Sequence, residues 1–599
     1  MARLMRPPWV AAFLALVALA LYARTLGADY VWDDLMYLGG FQHYQGVEGV
    51  VRAVKEPFFL LPMYYRPMVM LTFTVSQEPA VQHAINVLLH ALNTVLVFCC
   101  ARALMPCEAA ASRTGMLAAA SAALVFALHP LAVEAVAWVS GRFDALMCSF
   151  VLGTCLAALG GVLTRRRLAL VFALFFAAMC AKEAAIGLPV ALPFLLLLKW
   201  RLAGADVSAK AQAKPLAGLL AALALAVMLY VAVRLTVVQA LFAGGAKSAF
   251  RSDNVLDKLN IAALAVTEFA KLMVNPWSHS ALLHPFKYET GAGLLWQAAA
   301  VTAVLLALFA LAFWEKARFN FPLALLAALA MSWPTLHLIS IPNVGNIISD
   351  RYALAPLALL LFGLAATAAG WLRHRLPSMA PRERRVLLYA GAACLLWTLA
   401  LAAHSHATIP LWRNENSLWA FAYRQVPESD IAHKNYIKTL MIQGRWEEAD
   451  ADLKKYLQEH PEAFEDIEVA DITNWMVIRA KSGDYEGALE IFGIFEREFN
   501  EARLKAMNDA RTVGVLYRAR GIIEGDVGHW GQALSWHEKA VQVSPTDMRS
   551  LFQYAHALFM NGQQEKADEV FGRALAGSTN DVAAWAQEWR KKWTPDDNQ

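Results

Sequence analysis

The sequence predicts an all-α protein in two parts, a polytopic membrane domain of about eleven spanning helices followed by a helical solenoid. Three observations carry this expectation. The 599-residue chain is 58% hydrophobic and only 17% charged, with a mean hydropathy of +0.40. That is less charge than a soluble chain carries. Several runs reach the ~18 apolar residues that a spanning helix needs. From about residue 427 the composition turns charged and a repeat sets in.

The totals also exclude classes. A net charge of +4 gives no support for nucleic-acid binding. The seven cysteines all lie in or beside apolar runs, no CxxC occurs, and the polar end has none. Neither a disulfide framework nor a zinc site is indicated.

The first apolar run, from Trp9 to Leu26, follows the basic Arg3 and Arg6. A signal peptide has this form, but the length favours an uncleaved signal anchor. The positive-inside rule places Arg3 and Arg6 in the cytoplasm, so Asp33 and Asp34 fall outside. Residues 41–80 form an outer loop, with short interfacial helices expected at 46–65. Further spans follow at about 81–102, 114–131, 144–163, 168–181, 184–199 and 215–240. Arg165, Arg166, Arg167, Lys199 and Arg201 mark the inside. The stretch 241–294 carries too many charges for a span, among them Glu268 and Lys271, and is expected as an outer loop with amphipathic helices. Spans at about 295–314, 320–338, 353–372 and 386–404 complete eleven, which puts the carboxyl end outside. The expected domains are residues 1–404 in the membrane, a connector over 405–426, and repeats over 427–599.

The repeat is read from four registers. Gly444, Gly483, Gly528 and Gly562 each have alanine five residues on, at Ala449, Ala488, Ala533 and Ala567. Trp446, Tyr485 and Trp530 follow the first three glycines by two. Pro427 to Pro461 and Gly528 to Gly562 are both separations of 34, the tetratricopeptide period. Glycine ends the first helix of each pair, and the small alanine lets the second pack against it. Such arrays expose a concave surface suited to peptides or partner proteins.

The unusual polar residues collect at the outer ends of the spans. Asp33-Asp34 leaves the first span, and Arg66 closes the first loop. His83, Asn86 and His90 share one helical face. His129, Glu134, Arg142 and Asp144 follow, then Lys182-Glu183 and Asp350-Arg351-Tyr352. Each has a structural reading as well. A histidine within a span can bond a backbone carbonyl, Lys182-Glu183 can be an ion pair, and Arg142 can snorkel. The convergence favours function, because ionised groups near lipid are costly. Arg66, Arg142, Lys182 and Arg351 would suit a lipid phosphate, since guanidinium binds its oxygens bidentately. The acids would suit proton removal from a hydroxyl acceptor.

The ordered motifs DYVWDD, YYRP, HAINVLLHALN, HPLAVEAVAWVSGRFD, CAKEAAIGLPV and SDRY run through nearly the whole chain and precede the repeats. In this the chain resembles the transmembrane and tetratricopeptide-repeat-containing O-mannosyltransferases. The resemblance implies a C-type glycosyltransferase fold, a sugar donor on a polyprenyl phosphate, and a hydroxyl acceptor on protein. It also implies that Asp33-Asp34 lies at the catalytic centre. The Ala- and Leu-rich composition resembles that of bacterial chains. The expected setting is therefore a bacterial inner membrane, with undecaprenyl phosphate as carrier and the repeats in the periplasm.

On this reading Asp33 is the preferred general base, and Asp34 orients the acceptor or binds a metal. The two roles could be exchanged, because adjacent carboxylates titrate as a coupled unit. Arg66, Lys182 and Arg351 would hold the leaving phosphate, whose charge grows in the transition state. No cofactor is required; a divalent metal on the acid pair is conceivable, but two acids alone are a weak ligand set. Two other classes remain open, an oligosaccharide ligase or polymerase and a membrane scaffold that recruits partners through its repeats.

Overall fold

The computed structural model describes residues 6–35, 45–58, 63–204, 209–240, 255–275, 277, 292–313, 320–338, 348–459, 468–498, 510–578 and 580–593. Among these every regular element is helical, and no strand occurs. The chain divides into two units, Met1–Ser429 and Asp430–Gln599.

All eleven apolar stretches of the first unit are helical. Among the described residues eight helices are long and apolar enough to cross a membrane. The pair Arg113–Leu128 and Pro130–Ala137 meets the same test only when its two halves are taken together across a bend of 55°. The two remaining stretches form shorter helices, Arg165–Ala181 and Phe321–Ser332, of 17 and 12 residues. The protein is a multi-pass membrane protein. The amphipathic helices expected in 241–294 include Val255–Val274, a 20-residue helix with Asp257, Glu268 and Lys271; Lys247, Arg251 and Asp253 lie outside the described residues. Of the interfacial stretch, Gly46–Lys55 is a helix that buries Gly49 and Ala53 and leaves Val47, Val50, Val51 and Val54 exposed.

Burial separates the helices into a centre and a rim. The Val139–Leu159 span is 83% buried, while Trp296–Phe313 and Pro381–Trp412 are 6% and 11% buried. The central span packs against Pro79–Leu104 and Arg165–Ala181. Pro79–Leu104 in turn packs against Pro7–Tyr22 and Arg113–Leu128, and Leu354–Arg375 closes against Arg113–Leu128 and Phe321–Ser332. Apolar side chains gain little from leaving lipid for a helix interface, so close packing of small residues matters instead. Alanines supply much of it: Ala119, Ala123 and Ala127 on one helix, and Ala145 and Ala158 on the central one, are buried.

Residues 405–426, expected as a connector, belong to the first unit. The helical turn Ile409–Trp412 and the helix Glu415–Gln425 pack on the end of the bundle. Their buried Trp412 and Trp419 require it, because two indoles left in water would forfeit several kcal/mol of burial, at about 1.5–3 each for a large apolar side chain.

The second unit is a run of helical pairs. Asp430–Ile442 pairs with Trp446–Glu459, Val469–Lys481 with Tyr485–Glu498, Ala510–Asp526 with Trp530–Val543, and Met548–Met560 with Gln564–Ala576. Asn580–Arg590 follows. Each pair turns at one of the four glycines, at φ +69° for Gly444, +89° for Gly483, +85° for Gly528 and +74° for Gly562. Those angles lie in the left-handed region that side chains resist. The four alanines five residues on are all wholly buried, as the contact between paired helices demands. Pro461 lies outside the described residues.

A Cβ on Gly562 or Gly483 would meet nothing within 4 Å. Alanine there should therefore cost only the backbone term, about 1–2 kcal/mol. Hydrogen exchange on Gly562→Ala should show that loss over Met548–Ala576; unchanged protection would mean the turn does not depend on its left-handed residue.

Candidate functional site

The site is built around a break in a spanning helix. Pro130 lacks an N–H and cannot continue the helix that ends at Leu128. His129 is accordingly extended, at φ −73° and ψ 132°. The chain turns through Val133–Ala137 and the 3-10 turn Val139–Gly141 before Arg142 opens the next helix. Gly141 is needed for this path, since a Cβ there would come within 2.5 Å of the Glu134 carbonyl oxygen. The result brings Glu134, Ser140, Arg142 and Asp144 together, all buried.

A broken helix leaves carbonyls unpaired, and at membrane depth they must find donors. Asn86 supplies them, its Nδ2 donating to Trp138 O at 2.8 Å and lying 3.3 Å from Val136 O and Val139 O. Asn86 Oδ1 accepts from Arg142 Nε at 2.6 Å. Arg142 also donates to the Gln82 carbonyl oxygen at 2.6 Å, to Gln82 Oε1, and to Thr72 Oγ1 at 3.3 Å. With no exposed surface and its donors occupied, Arg142 is an internal brace. Arg142, expected to hold a phosphate, presents no exposed donor here.

The histidines serve the same end. His83 Nε2 lies 3.4 Å from Asp29 O, and His90 Nε2 lies 3.1 Å from Ala127 O. His129 Nδ1 accepts from Leu131 N–H at 3.2 Å, so Nε2 carries the proton and donates to Met273 O at 3.3 Å. These residues and Asn86 hold backbone to backbone, not an open cluster at the surface.

The acidic pair sits in a strained turn. Trp32 has φ +56°, which costs a non-glycine residue about 1–2 kcal/mol and is a feature of functional sites. Its ring stacks on Trp138 at 4.8 Å and meets Trp419 edge-on at 5.4 Å. Its N–H donates to Glu415. Asp34 points inward and is fully buried. Its Oδ1 accepts from Ser140 N–H at 2.8 Å and from Ser140 Oγ, and its Oδ2 accepts from Val31 N–H at 3.3 Å. Burial pushes the Asp34 carboxyl up from 3.8 to about 7, against the Ser140 and Val31 bonds and with the Asp33 charge adding to the rise. Asp34, expected to orient the acceptor or bind a metal, presents no exposed oxygen here. Asp33 is half-buried and lies within electrostatic reach of Arg351.

Two groups of cations stand beside this turn, joined through Lys182-Glu183. Lys182 is extended, at φ −161° and ψ 135°, and extended backbone sends neighbouring side chains apart. The two therefore do not form the ion pair that their adjacency allows in sequence, and each binds elsewhere. Lys182 Nζ binds both oxygens of Asp144 at 2.6 Å. Arg351 binds Glu134 through Nη1 and through its own N–H at 2.9 Å, and its Nε lies 3.6 Å from Asp144. The Tyr352 ring lies under both cations, 4.3 Å from Lys182 Nζ and 4.8 Å from the Arg351 guanidinium. The Trp138 ring carries Arg351 at 5.0 Å while stacking on Trp32. Asp350 lies within electrostatic reach of Glu134, His129 and His404.

The second group centres on Glu183. Arg66 grips one of its oxygens through Nε and Nη2 at 3.0 and 2.9 Å, and Arg234 Nη1 donates to the other at 3.2 Å. Tyr230 Oη lies 3.3 Å from Glu183 and 3.2 Å from the Tyr65 carbonyl. The Arg66 guanidinium covers the Tyr64 ring at 4.1 Å. Arg66 and Arg351 keep 14% and 16% of their side-chain surface, so a ligand can reach them as it cannot reach Arg142. Sequence reasoning missed Arg234, Ser140, Gln82 and Glu415. Arg234 had a signal, an arginine inside an apolar run. Among the described residues no three His, Cys, Asp or Glu side chains group as a metal site.

Comparison with known proteins finds similarity to protein O-mannosyl-transferases. Protein O-mannosyl-transferase Tmtc1 of Drosophila melanogaster is 33% identical over 184 residues, 28% of this chain and 20% of the fly protein. Protein O-mannosyl-transferase TMTC1 of Homo sapiens is 30% identical over 162 residues, 24% of this chain and 17% of the human protein. TMTC4 of Homo sapiens is 29% identical over 164 residues, 24% and 22% of the two chains. The chain thus spans about a fifth of the length of the curated relatives it matches. No family model matches, and no solved structure does.

The Asp34 shift fixes a pH dependence. Between about pH 4, the ordinary carboxyl range, and about pH 7 the folded protein holds a proton at Asp34 that the unfolded chain has lost. Stability therefore falls as pH rises through that window. Asp34→Asn should flatten this slope. It should also lower stability by about 1–3 kcal/mol, because an amide nitrogen would face N–H or O–H donors and leave one unpaired. Thermal unfolding across the window reads both; an unchanged slope would mean Asp34 does not titrate there.

Proposed function

We propose that this chain, TMTC-like over about a quarter of its length, is a glycosyltransferase that moves a sugar from a polyprenyl phosphate to a protein hydroxyl. We place the reaction at the outer face of a bacterial inner membrane, with the repeats on the same side. The relatives are named protein O-mannosyl-transferases, which makes mannose the first donor to try. The observation that carries the reading is the stacking of Trp32, which precedes Asp33 in its strained turn, on the Trp138 ring that also carries the Arg351 guanidinium at 5.0 Å.

In the proposed reaction the acceptor oxygen attacks the anomeric carbon, the bond from that carbon to the phosphate oxygen breaks, and the acceptor proton passes to Asp33. The polyprenyl phosphate leaves with the bonding pair. Arg351 and Lys182 would face its growing charge, with Arg66 and Arg234 beside them. Their carboxylate partners hold them in place beforehand, so little reorganisation is needed when the charge develops. A phosphate leaving group needs no protonation, so one base suffices where a glycosidase needs two carboxylates.

Asp33→Asn keeps the shape of the turn and removes the base. Single-turnover transfer from a mannosyl polyprenyl phosphate should fall by about 10²–10⁴-fold, with donor binding and thermal stability little changed. Near-normal transfer would remove Asp33 from the chemistry. Loss of activity on chelation, restored by a divalent ion, would change the mechanism to a metal-assisted one.

Deleting 430–599 should spare folding of the first unit and hydrolysis of donor to water, and lower transfer to a protein acceptor. Equal transfer by truncated and full chains would exclude acceptor recruitment by the repeats.

A further inference from the structure

The helices that carry the candidate site at one end flank an open cavity at the other. It has a volume of about 720 Å³ and lies between the last turns of Pro79–Leu104, Arg142–Leu159, Leu188–Leu202 and Leu354–Arg375. Gln82, Asp144, Glu183 and Arg351 lie at or just before the first turns of those same helices. Pro79–Leu104 has 26 residues, a rise of about 39 Å. This exceeds the ~30 Å hydrocarbon core, so with one end at one surface the Arg102 end reaches the opposite headgroup layer.

Arg102, Lys199, Arg373 and His374 line the cavity, with Glu108 as the acidic side chain in its wall. Helix C-termini attract cations on their own account, and two basic residues here answer to that. Lys199 Nζ donates to the Leu159 carbonyl, and Arg167, nearby, donates to those of Ala157 and Gly160 at 3.2 Å. Arg373 pairs with Glu108. Arg102 is different. Its Nη2 reaches Ala110 O only at 3.5 Å, and its Nε is buried without a hydrogen-bond partner among the described residues. Arg102 therefore keeps guanidinium donors that no strong protein acceptor takes up, and its side chain lines the cavity.

We propose that this cavity binds the phosphate headgroup of an anionic phospholipid. Beside the cations stand the partly exposed apolar residues Ala103, Pro106 and Leu202, which suit the first carbons of an acyl chain and offer nothing to a soluble anion. Arg165, Arg166 and Arg375 add positive charge at the same ends of the bundle, which concentrates anionic lipid there. The inference does not depend on the transferase reading.

The test uses the full chain reconstituted in phosphatidylcholine containing phosphatidylglycerol, followed by native mass spectrometry of retained lipid. Wild type should retain phosphatidylglycerol in preference to phosphatidylcholine, and inorganic phosphate should not displace it. Arg102→Gln should reduce retention by about tenfold or more, the worth of a charge-assisted contact. Ala103→Trp, which fills the cavity and keeps every charge, should do the same and decides the matter if Arg102→Gln does not fold. Equal retention by wild type and Ala103→Trp, or equal retention of the two lipids, would overturn the proposal. Displacement by inorganic phosphate would overturn the lipid assignment and make it a soluble-anion site.

Discussion

The arrangement at the outer end of the bundle depends on one buried guanidinium. Arg142 joins Asn86 and Gln82 on the Pro79–Leu104 helix to the start of its own helix. Asn86 in turn takes the carbonyls that the Pro130 break leaves open. Ser140, two residues before Arg142, fixes Asp34. Position therefore passes from Gln82 through Arg142 to Ser140 and then to the acid turn. A charge with no exposed surface is tolerable only with its hydrogen bonds made, so the geometry around Arg142 is narrowly determined. That stiffness holds Trp32 in its left-handed conformation, with Asp33 beside it.

Helix positions were legible because lipid imposes a length and a composition that the sequence must display. The eleven apolar stretches are helices where hydropathy placed them, and the four Gly–Ala registers are turns and buried contacts. Less legible was where a helix breaks and what lies beyond the last span. The span expected over 114–131 runs through Pro130, where the helix in fact ends at Leu128 and the chain turns through Val133–Ala137. The polar character of residues 413–417 concealed that Trp412 and Trp419 would dock against the acid turn.

The site was legible by residue type and not by partner. An ionisable residue in an apolar run declares itself, which is how Glu134, Asp144, Lys182 and Arg351 stood out. Which pairs with which depends on distances across 117 residues for Arg66 and Glu183, and 217 for Arg351 and Glu134. Arg142 shows the limit most clearly. The local sequence GRFD at a helix start is equally compatible with snorkelling, with phosphate binding and with an internal brace. Only the positions of Gln82 and Asn86, about 60 residues earlier, decide for the last. Asp33 and Asp34 were indistinguishable in sequence, and burial separates them: one braces the turn and the other remains within reach of Arg351.

The pairing of Arg66, Lys182, Arg234 and Arg351 with acids raises a physical question, because a cation already neutralised is a weaker phosphate ligand. In the proposed reaction the answer lies in where charge moves. Asp33 begins ionised and ends protonated, while the leaving phosphate gains the charge that Asp33 loses. The total within the site is unchanged, and only its position shifts. Arg351 lies within electrostatic reach of Asp33 and belongs to the cation group that would face the phosphate, so it can exchange one negative neighbour for another without leaving Glu134. A low-dielectric site penalises net charge far more than it penalises relocation of charge between fixed partners. Glu134, Asp144 and Glu183 then serve to hold the cations at a near-neutral balance on either side of the transition state, and base and leaving group act as one electrostatic unit.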